Sequence, residues 1–369
     1  MAKKPNIRFA GFEDDWEQRK VGDITKELSE YAKLNSGLPL LTSARTGLMY
    51  QSDYRGNSTT DNENTLFSIV PLNACTYRHM SDDSTFHINV NTLEKGLVSK
   101  EYPVFVENES DLRFVVQYIN SSDSFTKFCT EQKKGGTRTR LYYKTLCEYK
   151  MLIPSLNEQH IIADYFDNLD HLITLHQRKC DELKKVKKFM LQKMFPKKGE
   201  KNPEIRFDGF TNDWEQRKVG DYLTESREIG NKGDVARKMT VKLWGKGVYE
   251  KLEAGSTNTQ YFIRHANQFI YSKLDFLNCA FGVVPEELES LETTADVPAF
   301  DCVYMNPYFM FYRAIQPSFY IQNGIIANGS RKAKRIHTDT FLEMPISVPC
   351  LTEQNKIVGY FQSLDHLIT

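Results

Sequence analysis

The sequence lacks the signs of a secreted, membrane-spanning or zinc-binding protein. Its seven cysteines, at positions 75, 129, 147, 180, 279, 302 and 350, form no C-x-x-C pair and have no regular spacing, which argues against a disulfide framework or a structural zinc site. No window approaches the roughly 18 to 20 apolar residues needed to span a bilayer. The N-terminal MAKKPNIRF leads into a polar stretch, unlike a signal segment. We therefore expect a cytoplasmic protein without membrane contact.

The motifs of common catalytic centres are missing as well. The chain has no G-x-x-x-x-G-K-[ST] loop for nucleotide phosphates and no H-x-x-x-H pair, and no Ser/His/Asp set is evident. NPYF at 306–309 resembles the Asn-Pro-Pro-Tyr/Phe motif of amino-methyltransferases, but it lacks the second proline and a Gly-rich cofactor loop. We interpret it as a strand entering a turn at Pro307. We expect no catalytic residues and no metal ligands in this chain.

Charge of one sign is not in excess. Lysine plus arginine and aspartate plus glutamate each number 48, so the formal net charge is zero. This balance disfavours a protein wrapped wholesale in nucleic acid, but it leaves room for local basic faces. A length of 369 residues with 40% hydrophobic residues suits two soluble globular domains.

What the sequence does contain is an internal repeat. IRFAGFEDDWEQRKVGD at 7–23 returns as IRFDGFTNDWEQRKVGD at 205–221, with fourteen of seventeen positions identical. LNEQHIIADYFDNLDHLIT at 156–174 returns as LTEQNKIVGYFQSLDHLIT at 351–369. The stretches between these ends have diverged almost completely. Preserved ends with changed interiors indicate two copies of one device set to different targets; the alternative is a duplicated structural domain that drifted.

The repeat defines a domain organisation. We predict a first domain at 1–155, a central helix at 156–195, a linker at 196–204, a second domain at 205–350 and the start of a second helix at 351–369. Segments between the ends are rich in Tyr, Phe, Val and Ile with turn residues between them, which is typical of short strands. The predicted fold class is therefore α+β, with two pseudo-symmetric α/β domains joined by a long helix of coiled-coil type.

The central helix carries a heptad pattern. Apolar residues follow 4-3 spacing over about four and a half heptads, which predicts a continuous seam. Asn157 and Thr352 occupy matching N-cap positions, and Glu158 and Glu353 then favour the positive end of each helix. His176 and Lys187 are polar seam positions that fix register or face a partner's carboxylate. The predicted seam residues are Ile162, Phe166, Leu169, Ile173, His176, Cys180, Leu183, Met190 and Met194.

Two basic windows free of acids recur at the same relative place in the two halves. QKKGGTRTR covers 132–140 and GSRKAKRIH covers 329–337. Glycine followed by Ser or Thr and then Arg offers backbone N–H groups, a hydroxyl and a guanidinium as donors to phosphate oxygens. We predict phosphate contacts there, against the alternative of solvated turns. The candidates are Lys133, Lys134, Gly136, Thr137, Arg138, Arg140, Gly329, Ser330, Arg331, Lys332, Lys334 and Arg335.

Loops early in each half are candidates for reading base edges. TSARTGLMYQSDYRGNS at 42–58 and VKLWGKGVYEKL at 241–252 are punctuated by glycine and contain basic and amide side chains. Ordinary surface hairpins are the alternative. The candidates are Arg45, Gln51, Arg55, Lys242 and Lys246, residue types that hydrogen-bond guanine or adenine in a major groove.

Taken together, these patterns resemble a known family. The doubled GF-x-x-DWEQRKVGD openings, the basic G-[TS]-R loops and the doubled L-x-EQ…YF…LDHLIT helices are similar to the specificity (S) subunit of type I restriction–modification enzymes, over nearly the whole chain. The resemblance implies two target-recognition domains, each reading one half of a bipartite, asymmetric double-stranded DNA target with an unspecified gap.

The same resemblance implies partners and cofactors. The chain itself would hold no cofactor. Two modification subunits would supply S-adenosylmethionine-dependent adenine methylation, and restriction subunits would supply translocation and cleavage driven by ATP with Mg²⁺. The open alternatives are a stand-alone two-domain DNA-binding regulator and a scaffold without a nucleic-acid role. Complex formation with a modification subunit would distinguish an S subunit from a stand-alone regulator. Salt-dependent binding to duplex DNA would distinguish it from a scaffold without a nucleic-acid role.

One departure from the family pattern concerns the second helix. Family members have a second full-length helix antiparallel to the central one, whereas here the second copy reaches only Thr369, the equivalent of Thr174. We therefore expect the seam at Cys180, Leu183, Met190 and Met194 to lack its partner and to favour association. A truncated form, a covering protein or half-length forms that dimerise would each account for this.

Overall fold

The chain folds into two compact units. The computed structural model describes residues 5–55, 64–133, 137–253, 256–325 and 335–368. Unit 1 is Met1–Thr174 and unit 2 is Leu175–Thr369. Each unit combines helices and short strands around its own hydrophobic core. The α+β fold class predicted from the sequence is confirmed. The boundary between the units falls inside one long helix, which contributes residues to both.

Unit 1 begins with short strands, continues through two helices and leads into the long helix. Its elements are β1 (Glu17–Lys20), α1 (Val21–Ile24), β2 (Thr25–Glu27), β3 (Tyr31–Lys33), β4 (Leu41–Ala44), β5 (Gly47–Tyr50), α2 (Gln51–Arg55), β6 (Leu66–Val70), β7 (Cys75–Thr76), β8 (Met80–Ser81), β9 (Asn89–Val90), β10 (Gly96–Ser99), β11 (Val104–Glu107), α3 (Leu112–Ser121), α4 (Asp123–Glu131), β12 (Thr139–Arg140), α5 (Tyr143–Leu146), β13 (Lys150–Ile153) and α6 (Leu156–Lys193). One sheet has the strand order β2-β11-β7-β9, and another has the order β10-β6-β3. The hairpin β4–β5 lies beside the second sheet through a parallel bridge between Leu40 and Leu97.

Unit 2 follows the same order of elements. They are β14 (Glu215–Lys218), β15 (Leu223–Ser226), β16 (Ile229–Lys232), β17 (Lys238–Val241), β18 (Val248–Lys251), β19 (Gln260–Ile263), β20 (Phe269–Tyr271), β21 (Phe281–Val283), β22 (Glu292–Thr294), β23 (Ala299–Cys302), α7 (Pro307–Ala314), α8 (Pro317–Gly324), α9 (Thr338–Leu342), β24 (Pro345–Val348) and α10 (Leu351–Ile368). The sheets have the orders β15-β23-β20-β21 and β16-β19-β22-β17-β18. The two larger sheets match those of unit 1 in strand order, with β17 parallel to β22 where Leu40 bridges Leu97 in unit 1. The pair β8–β12 of unit 1 has no named counterpart in the described part of unit 2.

The repeated sequences meet at the base of each unit. Strand β1, from the repeated opening, pairs antiparallel with β13, and β14 pairs in the same way with β24. Each pair leads directly into the repeated helix, α6 or α10. A lysine–glutamate ion pair is repeated beside each strand pair: Lys20 donates to Glu148 at 2.7 Å, and Lys218 donates to Glu343 at 2.6 Å.

A buried ion pair closes each unit. Arg8 donates through Nε and Nη2 to the two carboxylate oxygens of Glu158 at 2.6 and 2.7 Å. Arg206 does the same to Glu353 at 2.7 and 2.8 Å. The side chains of Glu158 and Glu353 are 0% and 1% exposed. Two parallel hydrogen bonds of this kind are the strongest geometry for an arginine–carboxylate contact. We call the strand pair and the ion pair together the clasp.

Neighbouring residues of the helix reinforce the clasp. Gln159 accepts a hydrogen bond from the backbone N–H of Asp111 at 3.0 Å and donates to the carbonyl of Pro154 at 2.9 Å. Its counterpart Gln354 accepts from the backbone N–H of Asn306 at 2.8 Å and donates to the carbonyl of Pro349 at 3.0 Å. Both amides are buried. The repeated Glu-Gln pair therefore ties each helix to the start of another helix, α3 or α7.

Aromatic contacts recur at the same places. Phe9 lies edge-on to Tyr165 with ring centroids 5.6 Å apart, and Phe207 lies edge-on to Tyr360 at 6.2 Å. The tryptophan of the DWEQ motif packs on α3 in unit 1 and on α7 in unit 2: the ring centroids of Trp16 and Phe114 are 5.8 Å apart, and those of Trp214 and Phe309 are 5.7 Å apart. The repeated opening sequence therefore makes the same structural contacts with the repeated helix in both units.

Two local predictions from the sequence are wrong. The helices α6 and α10 begin at Leu156 and Leu351, so Asn157 and Thr352 lie inside the first turn. Ser155 instead accepts the backbone N–H of Glu158 at 3.4 Å. The NPYF motif is no strand entering a turn. Asn306 caps α7 by accepting from the backbone N–H of Tyr308 at 2.9 Å, and Pro307 occupies the first helical position, where its missing N–H costs nothing.

The seam of α6 is covered at its C-terminal end. Met194 is 2% exposed, and Leu183 and Met190 pack against the core of unit 2. Lys187 forms an ion pair with Asp365 of α10, which also accepts from the hydroxyl of Tyr312 at 2.9 Å. The expectation that this end of the seam lies uncovered is therefore wrong for Leu183, Met190 and Met194, because the core of unit 2 supplies the partner surface.

The rest of the seam differs along its length. Ile162 packs against the core of unit 1, and Leu169 and Cys180 are half-buried. Phe166 and Ile173 are 38% and 53% exposed. His176 is also exposed. The seam residues are thus least exposed where they meet the core of either unit.

We expect the clasp to stabilise each unit. Replacing Glu353 by Ala should lower the free energy of unfolding by about 3 kcal/mol, because it leaves a part-buried guanidinium without its charge partner. Urea denaturation followed by tryptophan fluorescence measures the change. Glu343→Ala, which removes the exposed partner of Lys218, is the matched control and should leave the urea midpoint unchanged. Equal effects of both substitutions would contradict a stabilising role for the clasp.

Candidate nucleic-acid interface

The two loops predicted to face base edges lie on equivalent hairpins. In unit 1 the hairpin β4–β5 turns through residues 45–46, and in unit 2 the hairpin β17–β18 turns through residues 242–247. Leu40, just before β4, forms a parallel bridge with Leu97 of β10, and Lys238 of β17 pairs in parallel with Glu292 of β22. Each hairpin borders a polar cleft within its own unit.

The cleft in unit 1 has a volume of about 520 Å³. We call it the unit 1 cleft. It lies between the hairpin and the segment that follows β8. Its charged and hydrogen-bonding lining includes Arg45, Arg78, Ser81, Asp82, Asp83, Thr85 and His87.

Arg45 and Arg138, predicted in separate loops, meet neighbouring carboxylates at this cleft. Nη2 of Arg45 lies 2.6 and 2.5 Å from the two carboxylate oxygens of Asp83. Arg138, from the basic window, donates through Nε to Asp82 at 2.7 Å. All four side chains are more than half exposed. The fold therefore brings a candidate base-reading loop and a candidate phosphate-binding loop together on consecutive aspartates.

Hydrogen bonds fix the charge states in the unit 1 cleft. The hydroxyl of Ser81, the guanidinium of Arg45 and the backbone N–H of Thr85 all donate to Asp83, and they hold the pKa of its carboxyl well below the usual range. Burial and then the positive charge of Arg45 lower the pKa of His87. At neutral pH the carboxyl of Asp83 is therefore ionised and the imidazole of His87 is neutral.

The remaining candidates of unit 1 are spread around this region. Lys133, Thr137 and Arg140 have exposed side chains, and Arg140 lies on β12, which pairs with β8 next to the aspartates. Gln51 begins α2 and is half-buried, with its backbone N–H donating to the carbonyl of Leu40 at 2.9 Å. Arg55 ends α2, and its side chain lies outside the described structure. Lys134 and Gly136 also lie outside the described residues.

The cleft in unit 2 has a volume of about 500 Å³ and a different lining. We call it the unit 2 cleft. Lys242 and Lys246, both predicted, line it together with Lys251. The aromatic residues Trp244 and Tyr249 lie between these lysines, and Nζ of Lys242 sits 5.4 Å from the centre of the Tyr249 ring. Asp275 is the acidic residue among the described lining residues.

The basic window of unit 2 is described only at its end. Arg335 has an exposed side chain with Nη2 3.6 Å from a carboxylate oxygen of Asp296. Gly329, Ser330, Arg331, Lys332 and Lys334 lie outside the described residues. Their predicted phosphate contacts stay predictions, as do those of every candidate in both units.

Sequence reasoning missed several residues of the clefts. Arg78, Asp82 and Asp83 line the unit 1 cleft because their segment packs against the hairpin β4–β5. No local sequence pattern indicates this contact. Trp244 lies in the candidate loop 241–252 but was not among the candidate residues. The Gly-x-Gly that follows it indicates an unusual turn. The side chain of Trp244 is 61% exposed.

Within the described ranges, no three His, Cys, Asp or Glu side chains lie close enough together to hold a metal ion. Among the helices of those ranges, none combines the length and apolarity needed to cross a membrane.

Comparison with known proteins bears on part of the chain at the sequence level. Residues 82–185, less than a third of the chain, match the family model described as the type I restriction modification DNA specificity domain. This stretch begins at Asp82 and includes Arg138 and most of α6. No curated protein shows significant similarity to the sequence.

Comparison of structures bears on the whole chain. The S subunit of a type I restriction-modification system from M. genitalium superimposes with a TM-score of 0.55 and 13% identity, over 97% of this chain and 92% of that one. The HsdS subunit from Thermoanaerobacter tengcongensis gives a TM-score of 0.48 and 12% identity, over 100% of this chain and 92% of that one. At such identity the first likeness concerns the fold. The resemblance seen in the sequence is therefore confirmed: the chain carries a type I restriction–modification DNA specificity domain on the fold of an S subunit.

Proposed function

We propose that this S subunit reads a bipartite, asymmetric DNA target, with unit 1 and unit 2 each recognising one half. The observation that carries the proposal is the pair of clefts. Equivalent hairpins, held by equivalent clasps, present clefts of about 520 and 500 Å³ that differ in their chemistry. Two readers of one design with different linings are what two different half-sites require.

The lining of the unit 1 cleft suits direct contact with bases and phosphates. Arginine can donate two hydrogen bonds to guanine, and carboxylates can accept from the amino group of cytosine. Without DNA, Arg45 forms an ion pair with Asp83 and Arg138 forms one with the adjacent Asp82. Phosphate oxygens compete with those exposed aspartates for the arginines, because exposed ion pairs contribute little stability.

The long helix suits the role of a spacer between the two readers. α6 is continuous from Leu156 to Lys193, and its first turns belong to unit 1 and its last turns to the core of unit 2. A helix advances about 1.5 Å per residue. Its length would then set the number of unspecified base pairs between the half-sites.

In this proposal the chain directs chemistry that other subunits perform. Two modification subunits would methylate adenines with S-adenosylmethionine, and restriction subunits would cleave DNA with ATP and Mg²⁺. The support is the specificity-domain match. Mixing the chain with modification subunits tests it, since a stable complex with sequence-specific methylation separates an S subunit from a stand-alone DNA-binding regulator.

Arg138→Ala should weaken binding of the chain to a duplex and flatten the log–log salt dependence of the binding constant by about one unit, because one phosphate contact is lost. Fluorescence anisotropy at several salt concentrations measures both effects. Arg19→Ala, which removes an arginine from β1 in the same unit, should leave the slope unchanged. An unaltered slope for Arg138→Ala would place this residue in the solvated-loop alternative.

Exchange of one interior should change one half-site. A chimaera that replaces residues 24–130 with the interior of another S subunit, and keeps the clasp, should select a new sequence on one side only. Selection from a randomised duplex library, followed by sequencing, reads both halves at once. Simultaneous change of both half-sites would show that the two units do not read independently.

Insertion of one heptad between Thr174 and Leu175 should change the permitted gap by about three base pairs, since seven residues add about 10 Å of helix and each base pair adds about 3.4 Å. The position keeps Leu183 and Met190 on the core of unit 2. The same library selection reports the gap. An unchanged gap with unchanged half-sites would contradict the spacer role.

A further inference from the structure

Unit 2 carries an apolar tip that the equivalent hairpin of unit 1 lacks. Six residues, 242–247, connect β17 and β18, whereas two residues, 45–46, connect β4 and β5. The longer turn holds Leu243 and Trp244, whose side chains are 40% and 61% exposed. Two large apolar side chains in succession at a solvent-facing turn require a reason, because their exposure costs free energy.

The turn holds Trp244 in a fixed position. The backbone N–H of Trp244 donates to the carbonyl of Asn278 at 2.9 Å, and that of Gly245 donates to the carbonyl of Cys279 at 2.8 Å. Trp244 has a φ of +61°, a conformation that a bulky residue rarely adopts. Gly245 has a φ of +65°, and a Cβ there would lie 3.0 Å from a methyl group of Ile315. The indole is therefore presented by an ordered, anchored turn.

Charges surround the tip on both sides. Lys242 and Lys246 flank Leu243 and Trp244 in the sequence, and Lys251 completes the lining of the unit 2 cleft. The carboxylate of Asp275 already accepts from Ser272 at 3.2 Å and from the amide of Asn278 at 3.1 Å. Lys242 lies over the ring of Tyr249, and Lys251 forms an ion pair with Glu253 at 3.0 Å. The cleft therefore offers an indole face beside exposed lysine side chains.

The indole itself is unengaged within the described part of unit 2. Trp214 packs on Phe195 and Phe309, and its Nε1 lies 3.3 Å from Glu353. For Trp244, by contrast, the described residues provide no ring contact and no hydrogen bond to Nε1. The side chain therefore has a complete aromatic face to offer to a ligand.

We propose that Trp244 is a specificity-determining contact of unit 2, packing its indole against a nucleobase of the half-site while Lys242 and Lys246 bind the phosphates on either side. The proposal rests on the DNA-reading function proposed above. The faces of the bases in a duplex are stacked on one another, so an apolar side chain reaches them by entering a base step. The cost of opening that step depends on its sequence, and this dependence makes the contact selective.

The two units would then read DNA by different physics. The unit 1 cleft offers arginines and carboxylates, which recognise bases through directional hydrogen bonds. The unit 2 cleft adds an apolar stacking contact, whose strength depends little on salt, to the lysine contacts, whose strength depends steeply on salt. Loss of the indole and loss of a lysine should therefore be distinguishable.

The test uses the full chain and a duplex selected by that chain from a randomised library. Trp244→Ala should raise the Kd by about tenfold and leave the salt slope unchanged. Lys246→Ala should flatten the slope by about one unit. Tyr304→Ala is the matched control, since Tyr304 is an 80% exposed aromatic of the same unit with a positive φ of 55° outside the cleft, and it should bind as the unsubstituted chain does.

Fluorescence supplies an independent readout. Trp214 is 2% exposed and Trp16 is half-buried, so quenching of tryptophan emission by the duplex should come chiefly from Trp244 and vanish in Trp244→Phe. Repeating the selection with Trp244→Ala should relax one half-site and leave the other intact.

Several outcomes would overturn the proposal. Duplex binding by Trp244→Ala with unchanged Kd and unchanged half-sites would show that the indole does not touch DNA, while the DNA-reading function would stand. Loss of both half-sites in a folded Trp244→Ala, judged by an unchanged urea midpoint, would also count against a local contact. Failure of the unsubstituted chain to bind any duplex at low salt would instead remove the proposed function itself.

Discussion

Each half of this protein depends on one buried ion pair. In each pair, an arginine of the repeated opening donates two hydrogen bonds to a glutamate in the first turn of the repeated helix. Arg8 and Glu158 are 150 residues apart, and Arg206 and Glu353 are 147 apart. A carboxylate withdrawn from water needs such a partner. The strand pairs β1–β13 and β14–β24 bring the two ends together, and the glutamine beside each glutamate then ties the helix to the middle of the unit. The unit is thereby closed at its base.

The clasp explains how the sequences of the two interiors could diverge almost completely while each unit stays folded. The larger sheets keep the same strand order in both units, yet the hairpin of unit 1 ends in an arginine and that of unit 2 in an indole between lysines. Binding residues placed on turns of a fixed scaffold can vary without disturbing the elements that hold them. The separation of a constant frame from variable turns would allow one chain to hold the two readers proposed for it.

The sequence predicted those features that repeat or have a short period. The helices α6 and α10, the α+β class and the presence of two matched halves all followed from local spacing and from comparison of the chain with itself. The contact between Arg8 and Glu158 did not, since a repeat shows that residues matter without showing that they touch. Arg45 and Arg138 were both candidates, but their meeting at Asp82 and Asp83 depends on how distant segments fold together. The N-cap of α6 was misplaced because Ser155 and Asn157, two residues apart, are both residue types that cap helices. Trp244 was missed because a lone tryptophan has no spacing to interpret.

The near-identity of the two clasps has a consequence for inheritance. Matching stretches of protein imply matching stretches of gene, located on both sides of each variable interior. A crossover within such a stretch would join the beginning of one unit to the end of another in frame, and the hybrid would still possess an arginine and a glutamate that fit each other. Under the proposed function, new recognition would then arise by recombination in a single step, with the architecture inherited intact.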